Sequence, residues 1–129
     1  MAIVIGTCLP TIIEADEIAA PPTGKAFYMV LADEASITYA VPAVEIKTVL
    51  KHESDYDPVA VGDHGLARGI AQFHKETFDQ YESYYHKSTG LHLNYVSGED
   101  QIRLMAWMWK NYSKTKLLWS TYRKYCDKI

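Results

Sequence analysis

The 129-residue chain lacks long hydrophobic runs, and no stretch approaches the ~20 apolar residues that a membrane-spanning helix needs. It has only seven glycines and five prolines, no internal repeat and no low-complexity segment, which excludes a fibrous or a disordered protein. Nearly half of its residues are apolar. A chain of this length and composition predicts one globular domain with a single core.

Cysteine is equally scarce, and metal-binding patterns are missing. Cys8 and Cys126 stand near opposite ends of the chain, and whether they form a disulfide depends on the compartment, which the sequence leaves open. None of the five histidines has the His-x-x-x-His spacing of one helix face, and no Cys-x-x-Cys accompanies them. We therefore predict neither a metal site nor a cofactor.

Charge is close to balanced, with a formal net charge of −3. The basic residues concentrate from Arg103 onward, a distribution typical of a solvated helix face. The chain also lacks the zinc-finger spacing and the glycine-rich signature of nucleic-acid-binding modules. We predict no nucleic-acid partner, and we expect a monomer.

The most informative residue is Glu53, because a carboxylate stands where helical periodicity calls for a core side chain. Pro42 suits the first turn of a helix, and Ile46, Val49 and Leu50 then recur at helical spacing. Glu53 is the next position on that apolar stripe. A carboxylate on an apolar face is poorly solvated, which raises its pKa toward the value that a general acid needs near neutral pH. Periodicity alone still favours the plainer interpretation of a glutamate at a helix end.

The residues that follow carry a specific pattern. Residues 53–73 read ESDYDPVAVGDHGLARGIAQF. This segment closely resembles the catalytic segment of the soluble lytic transglycosylase family, within the lysozyme-like superfamily. In that family a helix ends in Glu-Ser, and an aromatic residue, a proline, an Ala-containing turn and Gly-Ala-x-Gly-Leu-Met-Gln follow. The positions in register here are Glu53, Ser54, Tyr56, Pro58, Ala60, Ala67, Gly69 and Gln72.

The resemblance covers residues 36–73, including the Val41-Pro42 opening of the helix, and is loose beyond Phe73. Three positions depart from the family's pattern: Leu66 replaces its first glycine, Ile70 its leucine and Ala71 its methionine. The smaller Ala71 side chain is expected to widen the floor of a groove.

The resemblance and the coarse pattern imply the same fold class, α+β and mainly α-helical, lysozyme-like with a small β-hairpin region after the catalytic helix. A proline and three glycines within residues 58–69 make a continuous helix there unfavourable. We predict a turn at 62–65 between extended pieces at 59–61 and 66–73. We expect one domain over residues 1–129, comprising an N-terminal segment 1–35, the catalytic helix and hairpin 36–73, and a helical part 74–129.

Further helices are predicted over residues 28–40, 77–85 and 115–125, with a loop at 87–91. Ser97, with Asp100 three residues later, is predicted to cap a helix that is apolar most of the way round and therefore central to the fold. The apolar positions of that helix are Ile102, Leu104, Met105, Ala106, Trp107, Met108 and Trp109. The last helix is predicted to turn Leu118, Tyr122 and either Tyr125 or Cys126 inward.

The resemblance implies a peptidoglycan-cleaving enzyme. It would act on the β-1,4 bond between N-acetylmuramic acid and N-acetylglucosamine, with Glu53 as general acid and then base. In hen-type lysozymes a nucleophilic aspartate stands two residues before the glycine of a Gly-x-x-Gln segment, and Ala67 takes that position here. A lytic transglycosylase, which forms a 1,6-anhydro product without that nucleophile, is therefore predicted. Asp63, or less readily Asp55 or Asp57, could instead activate water in an inverting muramidase. A glycan-binding module without turnover is the third interpretation.

The predicted substrate-binding residues are Ser54, Asp63, Gly69, Ile70, Gln72 and Tyr122. Ser54 can hydrogen-bond the acid or the substrate, and Gln72 offers both a donor and an acceptor. Each also has a structural interpretation, as a polar residue at a helix end and as a buried amide bonded to backbone. The family's Tyr-Asn-x-Gly motif, which places a tyrosine near the acid, is absent. Tyr122 and Tyr125 follow Trp119 where a counterpart could fall, and we predict Tyr122.

The implied partner is the glycan strand of peptidoglycan, so we expect the protein to act outside the cytoplasm or to be secreted. Residues 1–5 are too short for a signal peptide and lack a basic flank. We therefore expect an export signal to have been removed before Met1, and a phage origin stays open.

Overall fold

The computed structural model describes residues 24–127, which form helices packed beside a small antiparallel sheet. The helices are α1 (Gly24–Tyr39), α2 (Ala43–Ser54), α3 (Lys75–Thr89), α4 (Gly98–Asn111) and α5 (Ser120–Tyr125), with 3₁₀ helices at Asp63–Gly65 and Ser113–Leu118. The strands are β1 (Val61–Gly62), β2 (Ala67–Arg68) and β3 (Phe73–His74), paired in the order β1-β2-β3. This arrangement confirms the mainly α-helical α+β class with a small β region after α2.

Helix α2 follows the predicted periodicity. Pro42 lies at the N-cap in an extended conformation, and Ile46, Val49 and Leu50 are fully buried. The helix ends at Asp55, which adopts a left-handed conformation (φ 52°) and donates its backbone N–H to the Lys51 carbonyl at 2.9 Å. The apolar stripe therefore ends one turn after Leu50, at the edge of the core.

Helix α4 is the centre of the core, as predicted. The Ser97 hydroxyl accepts a hydrogen bond from the Asp100 backbone N–H at 3.1 Å, which caps the helix. All seven predicted apolar positions of α4 are buried. A Cβ at Gly98 would lie 2.8 Å from the Tyr28 ring, so α1 can pack this closely on α4 only because the position is a glycine.

The β region differs from the predicted hairpin. Strands β1 and β2 pair around the predicted turn, with Val61 opposite Arg68. Residues 66–73 do not form one strand, because Gly69 (φ 85°) and Gln72 (φ 54°) are left-handed and the Gln72 N–H closes a turn on the Gly69 carbonyl. The chain then reverses into β3, which pairs with β2.

The later helices correct two predictions. Residues 87–89, predicted as loop, are the last turn of α3, which ends at the left-handed Gly90 (φ 79°). The predicted helix 115–125 is two elements, because Trp119 is extended (φ −94°, ψ 118°) between the second 3₁₀ helix and α5. Tyr122 is buried as predicted, whereas Leu118 is 57% exposed rather than inward.

Some predictions fall outside residues 24–127. Cys8 and most of the segment 1–35 lie there, so neither the disulfide nor the single-domain division is tested by the fold. Within the described residues, no helix combines the length and apolarity that crossing a membrane requires.

Candidate active site

Glu53 lies in the last turn of α2, where the helix leaves the core. Its side chain is half-buried, while its neighbours on the stripe are fully buried. This burial raises the pKa of the Glu53 carboxyl above its usual value. The Thr121 hydroxyl, on α5, donates a 2.8 Å hydrogen bond to Glu53 Oε2, which favours the ionised form and lowers the pKa by a smaller amount.

A cleft of about 390 Å³ opens at Glu53. Its lining residues come from α2, the β region, the start of α3 and the segment before α5, and they are Glu53, Asp63, Ala67, Gln72, Phe73, His74, Thr77, Leu118, Trp119 and Ser120. The volume falls in the ~300–1,000 Å³ range of ligand-binding cavities. The half-buried carboxyl of Glu53 is therefore accessible to a ligand.

Trp119 fixes one wall of the cleft. Its indole Nε1 donates a 2.8 Å hydrogen bond to the Ala71 carbonyl, and its ring meets the Phe73 ring edge-on at 5.3 Å between centroids. The extended backbone at Trp119 and this long-range bond together explain the break before α5. The sequence identified Trp119 neither as a break nor as a cleft residue.

Asp63 is the second carboxylate of the cleft, and its setting differs from that of Glu53. It is exposed, and its Oδ2 lies 2.8 Å from Nε2 of His74, which also lines the cleft. Ala67 faces the cleft with only a methyl group. Within the described residues, the cleft thus contains one half-buried acid, Glu53, and one exposed carboxylate, Asp63, whose partner is His74.

Gln72 also lines the cleft, but its amide donors are used on backbone. Its Nε2 donates to the carbonyls of Gly69, at 2.9 Å, and Ala60, at 3.2 Å. Gly62 provides the space, because a Cβ there would lie 2.4 Å from Gln72 Oε1. The amide therefore ties the turns of the β region together at the wall of the cleft.

Four predicted substrate-binding residues lie apart from the residues that line the cleft. The Ser54 hydroxyl donates to the Ile70 carbonyl at 2.7 Å and accepts from the Asp57 N–H at 3.1 Å, and the Ile70 side chain is fully buried. Gly69 lines a second cavity, of about 220 Å³, that shares no lining residue with the Glu53 cleft. These contacts give Ser54 and Ile70 a structural function; contact with substrate stays a prediction.

Gln101, in the first turns of α4, connects that helix to the β region through hydrogen bonds. It is 1% exposed; its Oε1 accepts from the Ala71 N–H at 3.0 Å, and its Nε2 donates to the carbonyls of Arg68 and Tyr95 at 3.1 and 2.8 Å. Gly69 lies directly against this amide. The turn that carries the cleft wall is thereby fixed to the start of α4.

Among known protein families, the transglycosylase SLT domain matches this chain over residues 30–124. The chain belongs to the SLT transglycosylase family. Neither the curated proteins nor the solved structures provide a match. The match confirms the predicted family and the lysozyme-like fold, and it extends past residues 36–73 in both directions. Membership implies peptidoglycan-cleaving transglycosylase activity and a peptidoglycan substrate.

The residue of α5 that meets the acid of this SLT domain is Thr121 rather than Tyr122. Tyr122 is 8% exposed, its ring lies 5.6 Å from that of Trp109, and Lys116 Nζ lies 5.4 Å from its centroid. Burial raises the pKa of the Tyr122 phenol. The tyrosine predicted to face the substrate is packed in the core, and the hydroxyl beside the acid belongs to the residue before it.

Next to Glu53, His52 and Tyr125 stack with ring centroids 3.9 Å apart and planes 8° from parallel. This pair links the ends of α2 and α5, the two helices that position the Glu53 carboxyl and the Thr121 hydroxyl. Among residues 24–127, no three His, Cys, Asp or Glu side chains come together in a way that could hold a metal ion.

Proposed function

We propose that the protein is a lytic transglycosylase that cleaves the β-1,4 bond between N-acetylmuramic acid and N-acetylglucosamine. The observation that carries the proposal is Glu53, half-buried and with a raised pKa, at the cleft of an SLT domain. Burial keeps a larger fraction of this carboxyl protonated, as a general acid requires. Peptidoglycan lies outside the cytoplasm, and we propose that the protein acts there.

The mechanism uses Glu53 twice. First the protonated carboxyl donates its proton to the glycosidic oxygen, and the bond from that oxygen to C1 of the muramic acid breaks while the oxygen of the substrate's own acetamido group forms a bond to C1. The Glu53 carboxylate then accepts the proton of the C6 hydroxyl as the C6 oxygen attacks C1 and displaces the acetamido oxygen. The 1,6-anhydro ring closes, and Glu53 is protonated again. No water is consumed.

Ala67 supports this route over a retaining hydrolysis. A second carboxylate that acts as a nucleophile stands ~5 Å from the acid. The β2 position where hen-type lysozymes carry it has a methyl group here, which can neither attack C1 nor stabilise positive charge. The substrate's acetamido group is then the available nucleophile.

An inverting muramidase is the second candidate function, and one observation favours it: Asp63 lines the same cleft as Glu53. Its carboxylate could activate a water molecule on the opposite face of the sugar. Its bond to His74 and its left-handed backbone (φ 50°) also suit a turn-stabilising residue.

Product analysis separates the two candidates. Mass spectrometry of digested peptidoglycan is expected to show 1,6-anhydro muropeptides, which are lighter by one water than hydrolysis products. Products with reducing ends, lost in Asp63→Asn as completely as in Glu53→Gln, would assign the inverting mechanism instead.

Replacing Thr121 tests how its hydrogen bond affects the pKa of Glu53. Because its hydrogen bond favours the Glu53 carboxylate, Thr121→Val is expected to raise the Glu53 pKa further. Activity that needs the protonated acid falls as pH rises through that pKa, so the alkaline limb of the kcat/KM profile should shift to higher pH. Thr121→Ser keeps the hydroxyl and serves as the control. A limb that stays in place or moves to lower pH in Thr121→Val would contradict this account.

A further inference from the structure

Three tyrosines, Tyr81, Tyr84 and Tyr112, form an aromatic surface that the cleft chemistry does not use. Their ring centroids lie 5.4 Å (Tyr81–Tyr84), 5.7 Å (Tyr81–Tyr112) and 5.9 Å (Tyr84–Tyr112) apart. Tyr84 is 36% exposed and Tyr112 is 43% exposed. We call these three residues the tyrosine platform.

Tyr84 and Tyr112 are the exposed rings of the platform, whereas Tyr81 is half-buried and packs against the core. Helix α3 buries Phe78 and Tyr85, which lie on a neighbouring face. Trp107, which is buried on α4, contacts Tyr112 with ring centroids 5.7 Å apart and so packs against the platform from the core side. Rings held by each other and by a buried tryptophan lose little conformational entropy when a ligand binds.

The platform continues the Glu53 cleft along two elements. Thr77 lines the cleft, and Tyr81 and Tyr84 follow it on the same face of α3 at i+4 and i+7, about 10 Å along the helix axis. Leu118 lines the cleft at one end of the second 3₁₀ helix, and Tyr112 precedes the other end. Helix α3 and the second 3₁₀ helix therefore each run from a residue that lines the cleft to the tyrosine platform.

We propose that the tyrosine platform binds the peptidoglycan glycan strand beyond the cleft, several sugars from the cleaved bond. A pyranose ring presents an apolar C–H face, which packs on the electron-rich face of a tyrosine, while the phenol hydroxyls can bond sugar hydroxyls. The exposed Lys110 and Lys114 flank Tyr112 and complement the carboxylates of the peptide stems. This inference rests on the peptidoglycan-cleaving function proposed above.

The test measures binding without turnover. The Glu53→Gln protein and its Tyr84→Ala/Tyr112→Ala derivative are co-sedimented with purified insoluble peptidoglycan at about 0.15 M salt, where exposed charges are screened beyond ~8 Å. Loss of the two rings is expected to weaken binding about tenfold, equivalent to ~1.4 kcal/mol. Tyr84→Phe/Tyr112→Phe in the same background keeps the rings and should restore most of the affinity.

A matched control separates stacking from general loss of apolar surface. Ile37 and Val96 are 83% and 77% exposed elsewhere on the molecule, and Ile37→Ala/Val96→Ala should bind like the Glu53→Gln parent. Equal binding of the parent and its tyrosine-to-alanine derivative overturns the platform alone. Failure of the parent to bind peptidoglycan overturns both the platform and the substrate assignment, whereas retained cleavage by Glu53→Gln overturns only the proposed role of that acid.

Discussion

Replacing Glu53 by glutamine is expected to reduce peptidoglycan cleavage by roughly 10²–10⁴-fold, the usual contribution of general acid–base catalysis. Glutamine keeps the size of the side chain but cannot donate the proton that the leaving oxygen needs. Clearing of purified cell walls measures the loss. Glu34→Gln, the same change on α1 at an exposed position away from the cleft, should retain activity.

The Glu53→Gln variant should remain fully folded. The direction in which Glu53 changes the free energy of unfolding with pH follows from its raised pKa. The Glu53 pKa is higher in the folded than in the unfolded chain, so the folded state binds more protons between the two values. The contribution of Glu53 to the free energy of unfolding therefore decreases as the pH rises from the unfolded-state pKa through the folded-state pKa. At pH 7 the glutamine variant should unfold at a temperature no lower than the wild type. Lost activity accompanied by a lower unfolding temperature would point to damage to the fold rather than to loss of an acid.

The largest expected effect on stability is at Gly69. A Cβ there would lie 2.3 Å from Gln101 Nε2 and 2.7 Å from its Oε1, and the backbone is left-handed (φ 85°). Gly69→Ala must displace a fully buried amide that makes three hydrogen bonds to backbone. We expect a loss of about 3–5 kcal/mol in the free energy of unfolding, from backbone strain together with unsatisfied buried groups.

Gly90 provides the matched control for this prediction. It is also left-handed (φ 79°), but a Cβ there meets no atom within 4 Å. Gly90→Ala should therefore cost only the conformational term of about 1–2 kcal/mol. Urea unfolding of both variants measures the difference. Equal losses would show that contact with Gln101 contributes nothing.

The elements that the sequence predicted well are those with local causes. The stripe of Ile46, Val49 and Leu50 needs only the helical period, and the Ser97 cap needs only its neighbour three residues on. The placement of Glu53 at the edge of the core followed from the same period. Local rules sufficed to predict these features because no distant contact opposes them.

The features that were missed depend on distant contacts. Trp119 breaks the last helix while its indole bonds the Ala71 carbonyl, 48 positions away in the chain. Thr121 meets Glu53 across 68 positions, and a single threonine on a short helix has no pattern that identifies it. The motif also places Ile70, which is fully buried, beside Gln72, which faces the cleft, because a sequence pattern does not separate packing from access.

The pKa of the Glu53 carboxyl in the free protein is the most direct test of the central claim. A ¹³C-detected titration, with the signal assigned by its disappearance in Glu53→Gln, provides that value. Our account predicts a midpoint above the 4.5 of an unperturbed glutamate, because the carboxyl is partly removed from water. A midpoint at or below 4.5 would show that the side chain is well solvated or dominated by the Thr121 hydrogen bond, and would contradict its role as the proton donor.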